Sequence, residues 1–111
     1  MDCIFCKIIK KEIPSSIIYE DDKVLAFNDI SPQAPVHIIV IPKKHVASVA
    51  ELDDMGVVRD LFSMMKVIAE EKGIAKTGYR IVVNHGKDAG QAVPHLHFHL
   101  LGGRPLKWPP G

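Results

Sequence analysis

His95-Leu96-His97-Phe98-His99-Leu100-Leu101 carries three histidines at every second position, with apolar residues between them. A β-strand turns successive side chains to opposite faces. Extended, this segment puts His95, His97 and His99 in one row and sends Leu96, Phe98 and Leu100 into a core. Coiled as a helix, it would rotate the imidazoles by about 200° at each step and scatter them. Two chemistries suit such a row. Alternate imidazoles on a strand can chelate zinc. Alternatively, a neutral imidazole can attack phosphorus near neutral pH while protonated neighbours stabilise anionic oxygens. A plain polar face fits poorly, because half of the chain's six histidines sit within these five residues.

The residues just before the row bear on that choice. Asn84-His85-Gly86-Lys87-Asp88-Ala89-Gly90-Gln91-Ala92-Val93-Pro94 is a compact loop with two glycines, a lysine and an asparagine. Glycines let backbone N–H groups approach an anion closely. Such a loop alone is a weak signal; abutting three in-register histidines, it points toward phosphate. Tyr79 to Asn84, ahead of it, reads as a strand.

The 111 residues predict a single domain spanning 1–111, in which dimerisation would help bury apolar surface. A hydrophobic content of 47% argues against disorder, and 14 basic against 13 acidic residues argue against a nucleic-acid binder. No apolar run approaches the ~20 residues of a membrane span, and no signal peptide is visible. A cytoplasmic, reducing setting is the expectation. There, Cys3 and Cys6 are free thiols or metal ligands, with His45 and His95 as candidates to complete a tetrahedral zinc.

Ile4, Phe5, Ile8 and Ile9 recur at helical spacing within Met1 to Lys11, predicting a short helix that ends before Pro14. Ile17 to Glu20 and Val24 to Asp29, split by Asp21-Asp22, predict a hairpin. Ile30-Ser31-Pro32-Gln33-Ala34-Pro35 is a proline-punctuated loop. Asp29 at its mouth is a turn former, or a carboxylate placed to accept both hydroxyls of a ribose. Val36 to Pro42 is a central strand packed on both faces. His37 inside it needs a buried partner, either as a satisfied core histidine or as a support for the catalytic row. Asp53 to Lys72 is the one long helix, with a predicted buried stripe of Met55, Val58, Leu61, Phe62, Met65 and Ile68, a cap at Asp53 or Asp54 and a stop at Gly73. The tail from Gly102 to Gly111 is too rich in glycine and proline for a regular element. It is either frayed or, with Trp108 beside two prolines, suited to packing on a partner.

These stretches resemble the histidine triad (HIT) superfamily. His95-x-His97-x-His99-Leu100-Leu101 fits the triad motif. Ala26-Phe27-Asn28-Asp29-Ile30-Ser31-Pro32-Gln33-Ala34-Pro35, Ile41-Pro42-Lys43-Lys44-His45, Leu101-Gly102-Gly103-Arg104 and Trp108-Pro109-Pro110-Gly111 are similar to its nucleotide-binding Hint branch. The resemblance implies an α+β, HIT-like fold: an antiparallel sheet of about five strands, one long helix, a short N-terminal helix, and a homodimer whose sheets run together. It implies hydrolysis of a purine nucleoside 5′-phosphoramidate, with AMP or GMP as product. His97 would attack the α-phosphorus to give a nucleotidyl-histidine that water then releases. His99 would contact the phosphate, His95 would hold the loop, and His37 would support the middle ring. Asn84, Gly90, Ala92 and Val93 would bind phosphate and Asp29 the ribose. Phe27, Ile30 and Ile8 would line the base pocket, and Trp108 would reach the partner's site.

No metal or cofactor is needed in the implied chemical step. Cys3, Cys6, His45 and His95 match the pattern of relatives that hold a structural zinc. One departure stands out: Ala92 occupies a position that is serine in much of the branch, where the hydroxyl reaches the leaving group. Hydrolysis of dinucleoside polyphosphates, metal-dependent hydrolysis by the histidine row and a non-catalytic nucleotide-binding scaffold remain as alternatives. The Gly-Gly-Arg and Trp-Pro-Pro-Gly ending speaks against the first of these.

Overall fold

The structure, a computed structural model, describes residues 3–111. The first two residues of the N-terminal helical stretch lie outside the described residues. Helix α1 (Ile4–Ile9) is followed by strands β1 (Ile17–Glu20), β2 (Val24–Asn28) and β3 (Val36–Pro42). A 3-10 turn (Val49–Glu51), helix α2 (Met55–Glu71) and strands β4 (Tyr79–Val83) and β5 (Phe98–Gly102) complete the chain. The five strands form one sheet in the order β1-β2-β3-β5-β4, with every neighbouring pair antiparallel.

The near-continuous apolar run of β3 is explained by its place at the sheet centre, where both faces are covered. Ile38 and Val40 join Val24, Ala26, Phe98 and Leu100 under α2. On the opposite face, Ile39 and Ile41 join Leu25 and Phe27 under α1, packed by Phe5 and Ile8. The alternation of β5 works as the sequence predicts: Leu96, Phe98 and Leu100 are buried on the α2 side. The α1 side of the sheet is left to the histidines.

The predicted strand over the whole triad is corrected at its start. Only His99 lies inside β5; His95 and His97 precede it. The register that sets Val40 opposite Phe98 would next set Pro42 opposite Leu96, and a proline has no N–H to extend the ladder. Leu96 instead donates its N–H to the Val46 carbonyl at 2.6 Å.

The stripe on α2 also differs. Leu61, Met64, Met65, Ile68 and Ala69 are buried, whereas Met55 is 65% and Phe62 40% exposed. Steps of three residues fall 60° short of a full turn, so a stripe extended by threes from Leu61 drifts off the core face by Met55. The ends of α2 are as expected: the Asp54 carboxylate accepts the Gly56 N–H at 3.0 Å, and Gly73 follows the C-cap at φ 74°. No helix among the described residues is long and apolar enough to cross a membrane.

Candidate active site and metal-ligand cluster

Strand β3 sets His37 opposite Leu101 and Ile39 opposite His99. His37 and His99 are therefore diagonal neighbours on one face, a separation their rings can close. The His37 Nε2 and His99 Nδ1 atoms lie 2.9 Å apart. The Gln33 backbone N–H donates to His37 Nδ1 at 3.0 Å. A backbone N–H cannot be turned into an acceptor, so His37 Nδ1 carries the lone pair and its proton sits on Nε2. That proton points to His99 Nδ1, which must accept it, leaving the His99 proton on Nε2. Asp29, just past β2, places Oδ2 at 3.4 Å from His37 Nε2, and its Oδ1 accepts the Ser31 N–H at 2.7 Å. Asp29, His37 and His99 are close enough to suggest a metal site. The tautomer argues otherwise, because the His37 nitrogen facing the other two holds a proton rather than a free lone pair.

His97 sits beside this pair, its ring centroid 5.1 Å from that of His99. Its Nδ1 lies 2.7 Å from the His95 backbone carbonyl, an oxygen that can only accept. The Nδ1 proton is thereby fixed and the lone pair resides on Nε2. The edge-on ring of Phe5, centroid 5.2 Å away, packs against the imidazole. The result is a buried imidazole with one committed nitrogen and, in its neutral form, one nucleophilic nitrogen.

His95 faces a different neighbourhood. Its Nε2 lies 2.9 Å from the Pro42 carbonyl, which fixes the lone pair on Nδ1. That Nδ1 lies 3.3 Å from Cys3 Sγ, 3.6 Å from Cys6 Sγ and 3.2 Å from His45 Nδ1, and Cys6 Sγ is 3.4 Å from His45 Nδ1. Zinc bonds of about 2.0–2.1 Å to nitrogen and 2.3 Å to sulfur give tetrahedron edges of roughly 3.3–3.8 Å. The four separations above lie close to those edges, all four donor atoms fall within 4.8 Å of one another, and the carbonyl behind His95 orients it as the outer partners of ligating histidines do. The residues fit a structural, closed Cys2His2 zinc site. The sequence placed His95 both in the histidine row and among the candidate zinc ligands; its side chain faces the cysteines and its carbonyl faces His97.

Burial sets the charge state of the site. It pushes His99 down to about 4, aided by the neighbouring His97 and His37 and opposed by Asp29. His37 is lowered by the same desolvation, again opposed by Asp29. Burial likewise lowers His95, keeping it in the neutral form that ligation requires.

The remaining candidates divide by position. Phe27 and Ile8 are packed into the core with Phe5 rather than lining open space, and Ile30 is 97% exposed at the rim. Asn84 directly follows β4, half-buried. The Gly90 N–H is committed to the Lys87 carbonyl at 3.0 Å, so Gly90 shapes the loop, at φ 78°, instead of offering its own amide to an anion. Ala92 is exposed and Val93 packs against the α1 cluster. Trp108 is 80% exposed, with the Arg80 guanidinium 5.9 Å from its ring.

Sequence reasoning missed Gln33, whose N–H sets the His37 tautomer. It also missed Gln91, whose side chain accepts the Gly86 N–H and donates to the Ala47 and Val93 carbonyls. Gln33 lies in a stretch quoted for the resemblance and Gln91 in the loop before the triad, but neither the backbone role of the one nor the loop-bracing side chain of the other has a sequence signature. A cavity of about 430 Å³ lies between the β1–β2 turn and the start of α2 and is lined by none of the histidines. Chemistry therefore locates the site better than concavity does.

Residues 10–106 match the HIT domain family model. An uncharacterized HIT-like protein of Synechococcus elongatus is 53% identical, covering 99% of this chain and 97% of that protein. The 14 kDa zinc-binding protein of Zea mays is 50% identical over 97% of this chain and 87% of its own. The crystal structure of a HIT family hydrolase from Legionella pneumophila superposes with a TM-score of 0.97 at 45% identity, covering 99% of this chain and all of the other.

Proposed function

The chain belongs to the HIT domain family, and from that premise we propose that it is a Hint-type nucleoside phosphoramidase, hydrolysing the P–N bond of purine nucleoside 5′-phosphoramidates. The observation that carries this reading is the state of His97: Nδ1–H held by the His95 carbonyl, Nε2 left with its lone pair. Attack by Nε2 on the α-phosphorus forms a P–N bond to His97 while the bond to the substrate amine breaks, and the amine leaves with a proton taken from solvent, which the water consumed in the second step returns. The imidazole becomes cationic as it attacks, and the carbonyl on Nδ1–H strengthens its hold as that charge develops. His99 offers its Nε2–H to the phosphate oxygens, and His37 keeps it in that tautomer. Water then attacks the phosphorus, the His97–P bond breaks, and the nucleoside monophosphate is released.

Asp29 remains assigned to the ribose, with Ile30 at the base-pocket rim and Asn84 with the Ala92–Val93 backbone on the phosphate. Cys3, Cys6, His45 and His95 hold a structural zinc that ties α1 to the sheet; no step of the chemistry passes through it. A homodimer joins two copies at β4, an edge strand with Tyr79 and Val83 exposed. Trp108, beside Arg80 of that strand, then lies near the partner's site. The setting is cytoplasmic.

The test is incubation with an adenosine phosphoramidate, rapid quenching and mass measurement. A nucleotidyl adduct on the peptide containing His97 is the expected result. Complete hydrolysis with no adduct, or no hydrolysis at all, would overturn the mechanism or the function respectively.

A further inference from the structure

Arg104, in the Gly-Gly-Arg segment after β5, has no part in the chemistry described so far. Its side chain reaches back to the loop between β2 and β3. The Nη2 and Nε groups both donate to the Gln33 carbonyl, at 2.7 and 3.3 Å, and Nη1 donates to the Pro105 carbonyl at 2.9 Å. The approach is close: a Cβ added at Gly103, where φ is 93°, would lie 2.9 Å from Pro35. The same Gln33 gives its N–H to His37 Nδ1, and His37 Nε2 lies against His99 Nδ1. A side chain on the surface thus grips the one residue whose amide selects the tautomer of both imidazoles.

We propose that Arg104 is a positioning residue, whose guanidinium fork on the Gln33 carbonyl holds the Gln33 amide on His37 and so keeps His37 and His99 in their Nε2–H tautomers. Charge-assisted bonds to one acceptor fix both distance and direction. The loop has little else of comparable strength at this point: Gln33 Nε2 donates to the Ser31 carbonyl within the same turn. Without the fork, the proline-punctuated loop can move off His37, and Nδ1 is then free to take the proton. His99 Nδ1 would lose its donor, and the Nε2–H aimed at phosphate would no longer be assured. Lysine offers one point charge in place of the fork and restores only part of the hold.

The test compares wild type with Arg104→Met and Arg104→Lys. Ring 15N resonances of His37 and His99, read by long-range proton–nitrogen correlation at neutral pH, report the tautomer directly. The expected result is Nε2–H for both rings in wild type, averaged shifts in Arg104→Met and an intermediate state in Arg104→Lys. The activity arm rests on the phosphoramidase reading: kcat falls about 10-fold in Arg104→Met while KM changes less than about 2-fold, the split expected when a transition-state donor is lost. Unchanged ring resonances in Arg104→Met overturn the proposal, even if kcat falls. If wild type hydrolyses no phosphoramidate, the functional reading fails separately and the resonances still decide the tautomer claim.

Discussion

The His97 imidazole donates Nδ1–H to the backbone carbonyl of His95, 2.7 Å away and two residues back in the chain. The proposed nucleophile is thus aligned by its own segment, and the same residue whose carbonyl aligns it sends its side chain to the cysteines. Replacing His97 removes the attacking nitrogen but leaves that scaffold intact. His97→Ala is expected to lower phosphoramidate turnover at least about 10³-fold while the protein still binds nucleoside monophosphate. Calorimetric titration with AMP or GMP, run beside the turnover assay, checks both halves. Retained turnover would remove His97 from the nucleophile's role.

The four-donor cluster makes a separate prediction. Its ligands are Cys3 at the start of α1, Cys6 inside it, His45 after β3 and His95 before β5, so a bound zinc would join three parts of the chain. Stripping metal with a strong chelator, or replacing Cys3 by serine, should lower Tm. Turnover should persist, because His97 keeps its carbonyl partner without the ion. Metal analysis of the purified protein and a thermal melt before and after chelation test this. Complete loss of activity with the fold intact would move the metal into the catalytic step.

The low pKa of His99, about 4, has a consequence for stability. An unfolded histidine titrates near 6.5. Between pH 6.5 and 4 the unfolded chain therefore binds a proton that the folded site resists, and stability falls as pH falls through that window. His99→Gln removes this contribution. Urea unfolding at pH 7 and pH 4.5 should show a larger loss for wild type than for the variant. Equal losses would mean that His99 is not desolvated as its position indicates.

Much of this molecule was legible because its signals are periodic. The hairpin, β3, β4 and the ends of α2 follow from alternation, turn residues and caps, and the triad motif pointed to the candidate site. Proline chemistry explains where that reading fell short. Pro42 cannot extend the ladder, so β5 begins at Phe98 and the three histidines are not one strand face. His95 turns toward Cys3 and Cys6, His99 turns toward His37, and His97 packs beside His99. The spacing of Cys3 and Cys6 suggested ligands and His45 and His95 stood as candidates to complete the set, but their approach across 39 to 92 residues of chain is the work of the fold. Gln33 and Arg104 act through backbone atoms and a loop contact, which leave no pattern in sequence.

Leaving-group protonation makes the last prediction. An amine departs from phosphorus readily only when protonated, and Ala92 stands where the Hint resemblance expects a hydroxyl. Ala92 is exposed, so a serine there buries no new polar group and should change stability by less than about 0.5 kcal/mol. Ala92→Ser is expected to raise kcat by about 10-fold for substrates with a strongly basic alkylamine, a modest gain for a positioned proton donor. Substrates with an aromatic amine, a better leaving group that depends less on a positioned proton donor, should gain less. Comparing the two leaving groups in both proteins separates a proton-transfer effect from a general change in the loop. An equal gain for both amines would place the effect in phosphate binding, and no gain for either would mean that another group already supplies the proton.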